Sequence, residues 1–319
     1  MDKIKKILID SDPGIDDALA ILLALSNDQI QLEGITVVHG NCSAPQGVLN
    51  ALSVLELAEA EDVPVHQGFD RPLVNQPLFA PETHGTSGLG YASLPYPEKE
   101  PEAEHAVDFL IRKLLDSPGE ITLVAVGPLT NLAVAFRKEP AVIKAVREVI
   151  SMGGAISHGG NTTPLAEFNV YADPHAAHIV YHSGAPIRLV PLDVTYQCVL
   201  TQNDVERLQQ LSSPISEFIS DATQFYMEFH DSYQGVKGCV INDPLALALA
   251  FRENLCQYRE LYVNVDISGG VSTGKTYADF YRMEEKPPNC EVALDVYPRE
   301  FIEEFLEGME KLIKSKEVN

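Results

Sequence analysis

Apolar runs and helically spaced apolar positions alternate along most of the chain. KILIDS (6–11) is a continuous apolar run ending in polar residues, the pattern of a buried strand, and Ala18, Ile21, Leu22 and Leu25 then recur at helical spacing. LEGITVV (32–38) predicts a second strand and GVLNALSVLELAEA (47–60) a second helix. Residues 68–101, rich in Pro and Gly with weak periodicity, predict a long ordered loop carrying THGTSGLG (83–90). A helix at 103–116, the strand ITLVAV (121–126), a helix from about 129 and the strand REVISMGG (147–154) follow. A helix is expected from Asp173, a strand over IRLVPLDV (187–194), two mainly helical segments over 203–231 and a helix near Asp243. LYVNVDI (261–267) and EVALDVY (291–297) predict late strands before a closing amphipathic charged helix.

Strands alternating with helices predict parallel βαβ units. The expected fold is α/β, an open, mostly parallel, Rossmann-like sheet with helices on both faces. Ligands in such sheets bind at the carboxyl ends of the strands. With no repeat, low-complexity tract or linker, residues 1–319 are expected to form a single domain, with 203–231 as a helical elaboration.

Composition narrows the function classes. A formal net charge of −23 disfavours nucleic acid and anionic membrane as partners. No apolar run is long enough to span a bilayer. The start, MDKIKKILID, resembles a signal peptide in being basic and then apolar, but Asp10 and Asp12 interrupt it and no small-residue cleavage site follows. Five scattered cysteines without a CxxC pair argue against a disulfide framework or zinc site. A cytoplasmic protein with reduced thiols is expected.

The chemistry gathers in ILIDSDPGIDDALAILLAL (7–25), where Asp10, Asp12, Asp16 and Asp17 fall at a strand–helix junction. Period-two geometry points Asp10 and Asp12 the same way. The plain alternative is helix capping, Asp-Pro being a good helix start. Capping explains one aspartate and not four. Close carboxylates raise each other's pKa or take a cation between them, and all-oxygen donors favour Ca²⁺ or Mg²⁺.

D-x-D-P-G-x-D-D after an N-terminal strand resembles the signature of the inosine-uridine nucleoside hydrolases. VVHGN (37–41), THGTSGLG (83–90), VGPLTNLA (126–133), SMGGAISHGGNTTPLAEFNVYADPHAA (151–177) and NDPLALA (242–248) occur in the order of that family. The resemblance implies the nucleoside hydrolase fold, with one Ca²⁺ held by Asp12, Asp17, the main-chain carbonyl of Val126 and Asp243. It implies hydrolysis of the N-glycosidic bond of ribonucleosides to free base and ribose by a calcium-activated water, with Asp12 as general base. Asp16 would hold the ribose diol with Asn41 and Asn169 nearby. Asn161 and Glu167 would grip the 5′ side, Met152 would pack there, and Asp10 would orient the metal loop from behind. A homodimer or homotetramer is implied as well. Purine, pyrimidine and ribosylnicotinamide substrates all remain open. A 5′-phosphate beside Glu167 would meet a like charge, so nucleosides are expected rather than nucleotides.

One position departs from the pattern. Purine- and pyrimidine-cleaving members carry a His just before the late calcium-binding Asp, and here it is Asn242. Asn is no general acid near neutral pH. Candidate replacements are His84, Tyr226, His230 and Tyr233, the last three expected on one helical face. His230 is expected to be the relocated acid and His84 to contact ligand. A calcium-dependent nucleoside- or ribose-binding protein with weak or no catalysis is the alternative. A remote one is P-loop nucleotide binding at 269–276, where GGVSTGKT fits G-x-x-x-x-G-K-T, although no good helix follows.

Overall fold

The computed structural model describes residues 4–316; the first three residues of the basic start, and 317–319, lie outside it. The strands in chain order are β1 (Lys5–Ser11), β2 (Ile30–Val37), β3 (Val65–Gln67), β4 (Ile121–Ala125), β5 (Glu148–Met152), β6 (Ile187–Val190), β7 (Val199–Leu200), β8 (Cys239–Val240), β9 (Cys256–Leu261), β10 (Val263–Val265), β11 (Thr276–Ala278) and β12 (Cys290–Val296). Eight of them form one sheet in the order β3-β2-β1-β4-β5-β6-β12-β9. All neighbours are parallel except β12 and β9. β7 pairs with β8 and β10 with β11 in two small antiparallel ribbons.

Apolar alternation explains how both faces of this sheet are covered. In β1, Ile7 and Ile9 enter one core and Leu8 the other, all fully buried. The helix Ile15–Ser26 is apolar on nearly every side because it is buried on nearly every side, packing against the helices Asn242–Ala248 and Pro298–Lys316.

Sheet order reverses between β1 and β4, which places a crevice at their carboxyl ends. Into it run the segments after β1, β2, β4 and β5. Lys6 pairs with Ile121 and Asp10 with Ala125, so Asp12 and Val126 emerge side by side.

Two expectations need correction. IRLVPLDV is not one strand: Pro191 ends β6, and Leu192–Thr195 is a helical turn. LYVNVDI is split between sheets, Leu261 closing β9 and Val263 opening β10. The two helical segments expected over 203–231 are Gln202–Gln209 and Pro214–Phe229, and a five-residue π-helical turn, His230–Gln234, follows them.

Candidate active site

The first helix explains part of the aspartate cluster. Its N-cap is Gly14, not Asp12, and Asp17 at the third helical position reaches back to the Gly14 N–H at 2.9 Å. The Asp17 carboxylate also accepts from Ser11 Oγ at 2.7 Å, Asn41 Nδ2 at 2.9 Å and the Asp12 N–H at 3.3 Å. It therefore ties the end of β1, the end of β2 and the helix start together.

Asp12 is held on one oxygen only. Its Oδ2 accepts the Asn41 N–H at 2.7 Å. Its Oδ1 is buried and has no hydrogen-bond partner among the described residues. A Cβ added at Gly40 would lie 1.9 Å from Asp12 Oδ2, and one at Gly127 would lie 2.6 Å from Oδ1. These glycines serve close approach to the carboxylate.

Behind it, Asp10 Oδ1 accepts from Thr36 Oγ1 at 2.5 Å and Asn131 Nδ2 at 2.9 Å. Burial raises this carboxyl to about 7. The Asp10 main-chain carbonyl receives the Val126 N–H at 2.8 Å. The Val126 carbonyl in turn accepts from Asn169 Nδ2 at 2.7 Å, and the same amide reaches the Met152 carbonyl at 3.3 Å.

Asp16, Asp17 and Asp243 bring carboxylate oxygens within 4.8 Å of one another, all buried. Burial first, and then the negative charges of Asp16, Asp17 and Asp12, push Asp243 well above the usual carboxylate range. Asp12 is raised by burial and then by Asp17. Asp16 Oδ2 is engaged by Asn242 Nδ2 at 3.0 Å and the Tyr226 hydroxyl at 3.2 Å.

A cavity of about 690 Å³ opens above this floor. Asp16, Asn41, His84, Val126, Met152, Asn161, Glu167, Asn169, Tyr226, His230, Tyr233, Asn242 and Asp243 all line it. Among the described residues, no Lys or Arg does. An all-oxygen donor set that is buried and anionic, with an unpartnered Asp12 oxygen, fits a hard cation.

One wall is a loop held by its own polar groups. Glu167 caps the helix Phe168–Ala172, accepting from the Asn169 and Val170 N–H groups, and also takes the Gly154 N–H at 2.8 Å. Asn161 Oδ1 accepts the Phe168 N–H at 2.9 Å.

Sequence reasoning missed the clamp on this loop. Asp193 accepts the N–H groups of Ile156, Ser157 and His158 at 2.7–3.2 Å. From the other side, Lys275 Nζ donates to the carbonyls of Ala155 at 2.7 Å and Ile156 at 3.1 Å. GGVSTGKT is thus the connection between β10 and β11; Thr276 opens a strand where a phosphate-binding loop needs a helix. The P-loop expectation is corrected on that ground.

The other wall is aromatic. The Tyr226 and His230 rings meet edge to face at 4.4 Å, and Phe229 stacks on Tyr233 at 5.1 Å. Tyr233 reaches the cavity on the π-helical turn rather than on a continuous α-helical face, and it is 74% exposed. Phe229 and Tyr196 also line this end and were missed; isolated aromatics carry no local signal that separates cavity wall from core.

The two histidines differ in tautomer. His84 Nδ1 accepts the Ile15 N–H at 3.1 Å, so its proton sits on Nε2. His230 Nδ1 lies 2.8 Å from the Tyr226 carbonyl and must donate, so the neutral ring offers Nε2 as an acceptor. Burial lowers both to about 4. His230 becomes an acid only when protonated, and burial keeps that form scarce near neutral pH.

Residues 7–303 match the family described as inosine-uridine preferring nucleoside hydrolase. The chain is 37% identical over 292 residues to the pyrimidine-specific ribonucleoside hydrolase RihB of Escherichia coli, covering 92% of this chain and 93% of that one. Among solved structures it resembles a purine-preferring ribonucleoside hydrolase from Gardnerella vaginalis, with TM-score 0.93, 32% identity and coverage of 98% and 100%. A plant nucleoside hydrolase gives TM-score 0.92 at 35% identity, covering 96% and 99%. With sequence and fold agreeing over nearly its whole length, the chain belongs to the inosine-uridine preferring nucleoside hydrolase family.

Proposed function

We propose that this enzyme hydrolyses the N-glycosidic bond of ribonucleosides to free base and ribose, with Asp12 as general base and Ca²⁺ as cofactor. The observation that carries the reading is Asp12: its Oδ1 is buried and unpartnered within reach of the charges of Asp16, Asp17 and Asp243, of which Asp16 and Asp243 line the cavity. Asp12, Asp17, the Val126 carbonyl and Asp243 would hold the ion. Calcium, when bound, acidifies water and binds hydroxyl oxygens.

The side chains then divide the work. Asp12 takes the proton of the attacking water. Asp16, Asn41 and Asn169 hold the ribose diol, while Asn161 and Glu167 bind the 5′ side against Met152. Asp10 supports the loop from behind. As C1′ loses its bond to the base it becomes oxocarbenium-like, and the surrounding carboxylates stabilise that positive charge. His84 contacts the ligand. Tyr226, Tyr233 and Asn242 face the base, and His230 beside them delivers a proton only in its scarce protonated form.

We also take the chain to act as a single domain: its main sheet draws strands from both ends, from β1 to β12. A cytoplasmic location fits five buried, unbridged thiols. Among the described residues, no helix is long and apolar enough to cross a membrane. A homodimer or homotetramer is our reading of its assembly.

The test is ribose release from a panel of nucleosides with and without a chelator. Release that depends on calcium is expected. Binding without release would instead favour a calcium-dependent binding protein. Release surviving complete calcium removal would refute the cofactor assignment. Inosine should be cleaved and its 5′-monophosphate should not.

A further inference from the structure

Three of the groups that line one end of the cavity, Asn242, Tyr226 and His230, hold no uncommitted proton. Asn242 is an amide whose Nδ2 is committed to Asp16 at 3.0 Å and to the Tyr226 hydroxyl at 3.3 Å. Its Oδ1 is buried without a partner, an acceptor. Tyr226 spends its hydroxyl proton on Asp16 Oδ2 at 3.2 Å. His230 spends the proton of its neutral ring on the Tyr226 carbonyl.

The same end is rich in features that attract a cation. Asp16, Glu82, Glu167 and Asp243 line the cavity, Asp12 and Asp17 are buried close to Asp16 and Asp243, and no Lys or Arg among the described residues lines it to offset them. A single divalent ion leaves most of that negative charge in place. Tyr196, Tyr226, Phe229 and Tyr233 present aromatic rings at the base end, and aromatic faces attract cations.

Resting on the hydrolase reading above, we propose that the site prefers ribonucleosides whose base carries a fixed positive charge, N7-alkylated purine or pyridinium ribosides, over neutral nucleosides. The chemistry balances without an acid. In a neutral nucleoside the base leaves with the electron pair of the C1′–N bond and needs a proton. In a cationic one the same electron pair neutralises the base as it leaves. In both, water gives its hydroxide to C1′ and its proton to Asp12.

The experiment compares three ribosides with the calcium-loaded protein in mildly acidic buffer: 4-nitrophenyl riboside, guanosine and 7-methylguanosine. The nitrophenyl leaving group departs without protonation and reports the hydrolase reading alone. The expected result is cleavage of it, with kcat/KM for 7-methylguanosine at least tenfold above guanosine and a lower KM. A smaller preference, or a KM no lower, overturns the inference while hydrolysis stands. Failure to cleave any of the three overturns both.

Because 7-methylguanosine is the more labile compound in itself, Asn242→His supplies the second arm. A proton donor at this position should raise guanosine turnover at least fivefold relative to that of 7-methylguanosine. Parallel rises for both would overturn the missing-proton argument.

Discussion

At the aspartate end of the cavity, Asp12, Asp16, Asp17 and Asp243 are buried; backbone amides and short polar side chains hold Asp12 and Asp17, and two glycines with no room for a Cβ close on Asp12. At the aromatic end, Tyr233 is largely exposed, Phe229 leans on it, and the backbone beneath is a π-helical turn. The first end grows from the carboxyl ends of parallel strands, where backbone hydrogen bonds on both sides fix position. The second grows from a helix and an irregular turn packed over them. On the function proposed above, the chemistry common to every nucleoside falls to the aspartate end, and the part of the substrate that varies faces the aromatic end.

The comparison breaks if the two ends respond alike to substitution. Asp12→Asn should cost the most, roughly 10³-fold in kcat with a retained fold, as for loss of a general base; rates within tenfold of the parent would remove Asp12 from that role. Gly40→Ala should cost about 10²-fold, because its Cβ cannot sit 1.9 Å from Asp12 Oδ2 and the carboxylate must move. Steady-state kinetics beside a melting curve separates this displacement from unfolding.

His230→Ala should slow inosine and uridine by about tenfold and spare 4-nitrophenyl riboside. Equal rates on all three would leave His230 outside the chemistry. The smallest effect is on stability against pH. The folded protein holds His230 at about 4, against its usual 6.5, because the ring is buried. As pH falls below about 6.5 the unfolded chain gains the proton first, so stability is lost down to about pH 4. His230→Gln should reduce the loss between pH 7 and pH 5 by about 1–2 kcal/mol, read from denaturant melts at the two pH values.

The two ends also differ in how much of them the sequence made legible. Asp10 to Asp17 lie within eight positions on one strand–helix junction, so local periodicity is enough to converge them. Asn242 stands out as a departure from a motif, but its bond to Asp16 spans 226 positions and leaves no local trace. The grip of Asp193 and Lys275 on residues 155–158 is equally long-range, and Lys275 carried a misleading local signal as part of a phosphate-loop pattern. Within the fold, Pro191 was a visible reason to end β6 early. The break at Tyr262 was not visible, because β9 and β10 share one apolar pattern while belonging to different sheets.

The π-helical turn at His230–Gln234 has a consequence for how such a protein changes over generations. One residue more or less in a helix rotates everything after it by about 100°, and a π turn is the form in which an extra residue is accommodated. A single-codon deletion here would swing Tyr233 off the cavity wall while leaving Asp12, Asp16 and Asp17, far upstream, where they are. Lineages of this protein thus have an inexpensive route to new leaving bases: indels in one turn.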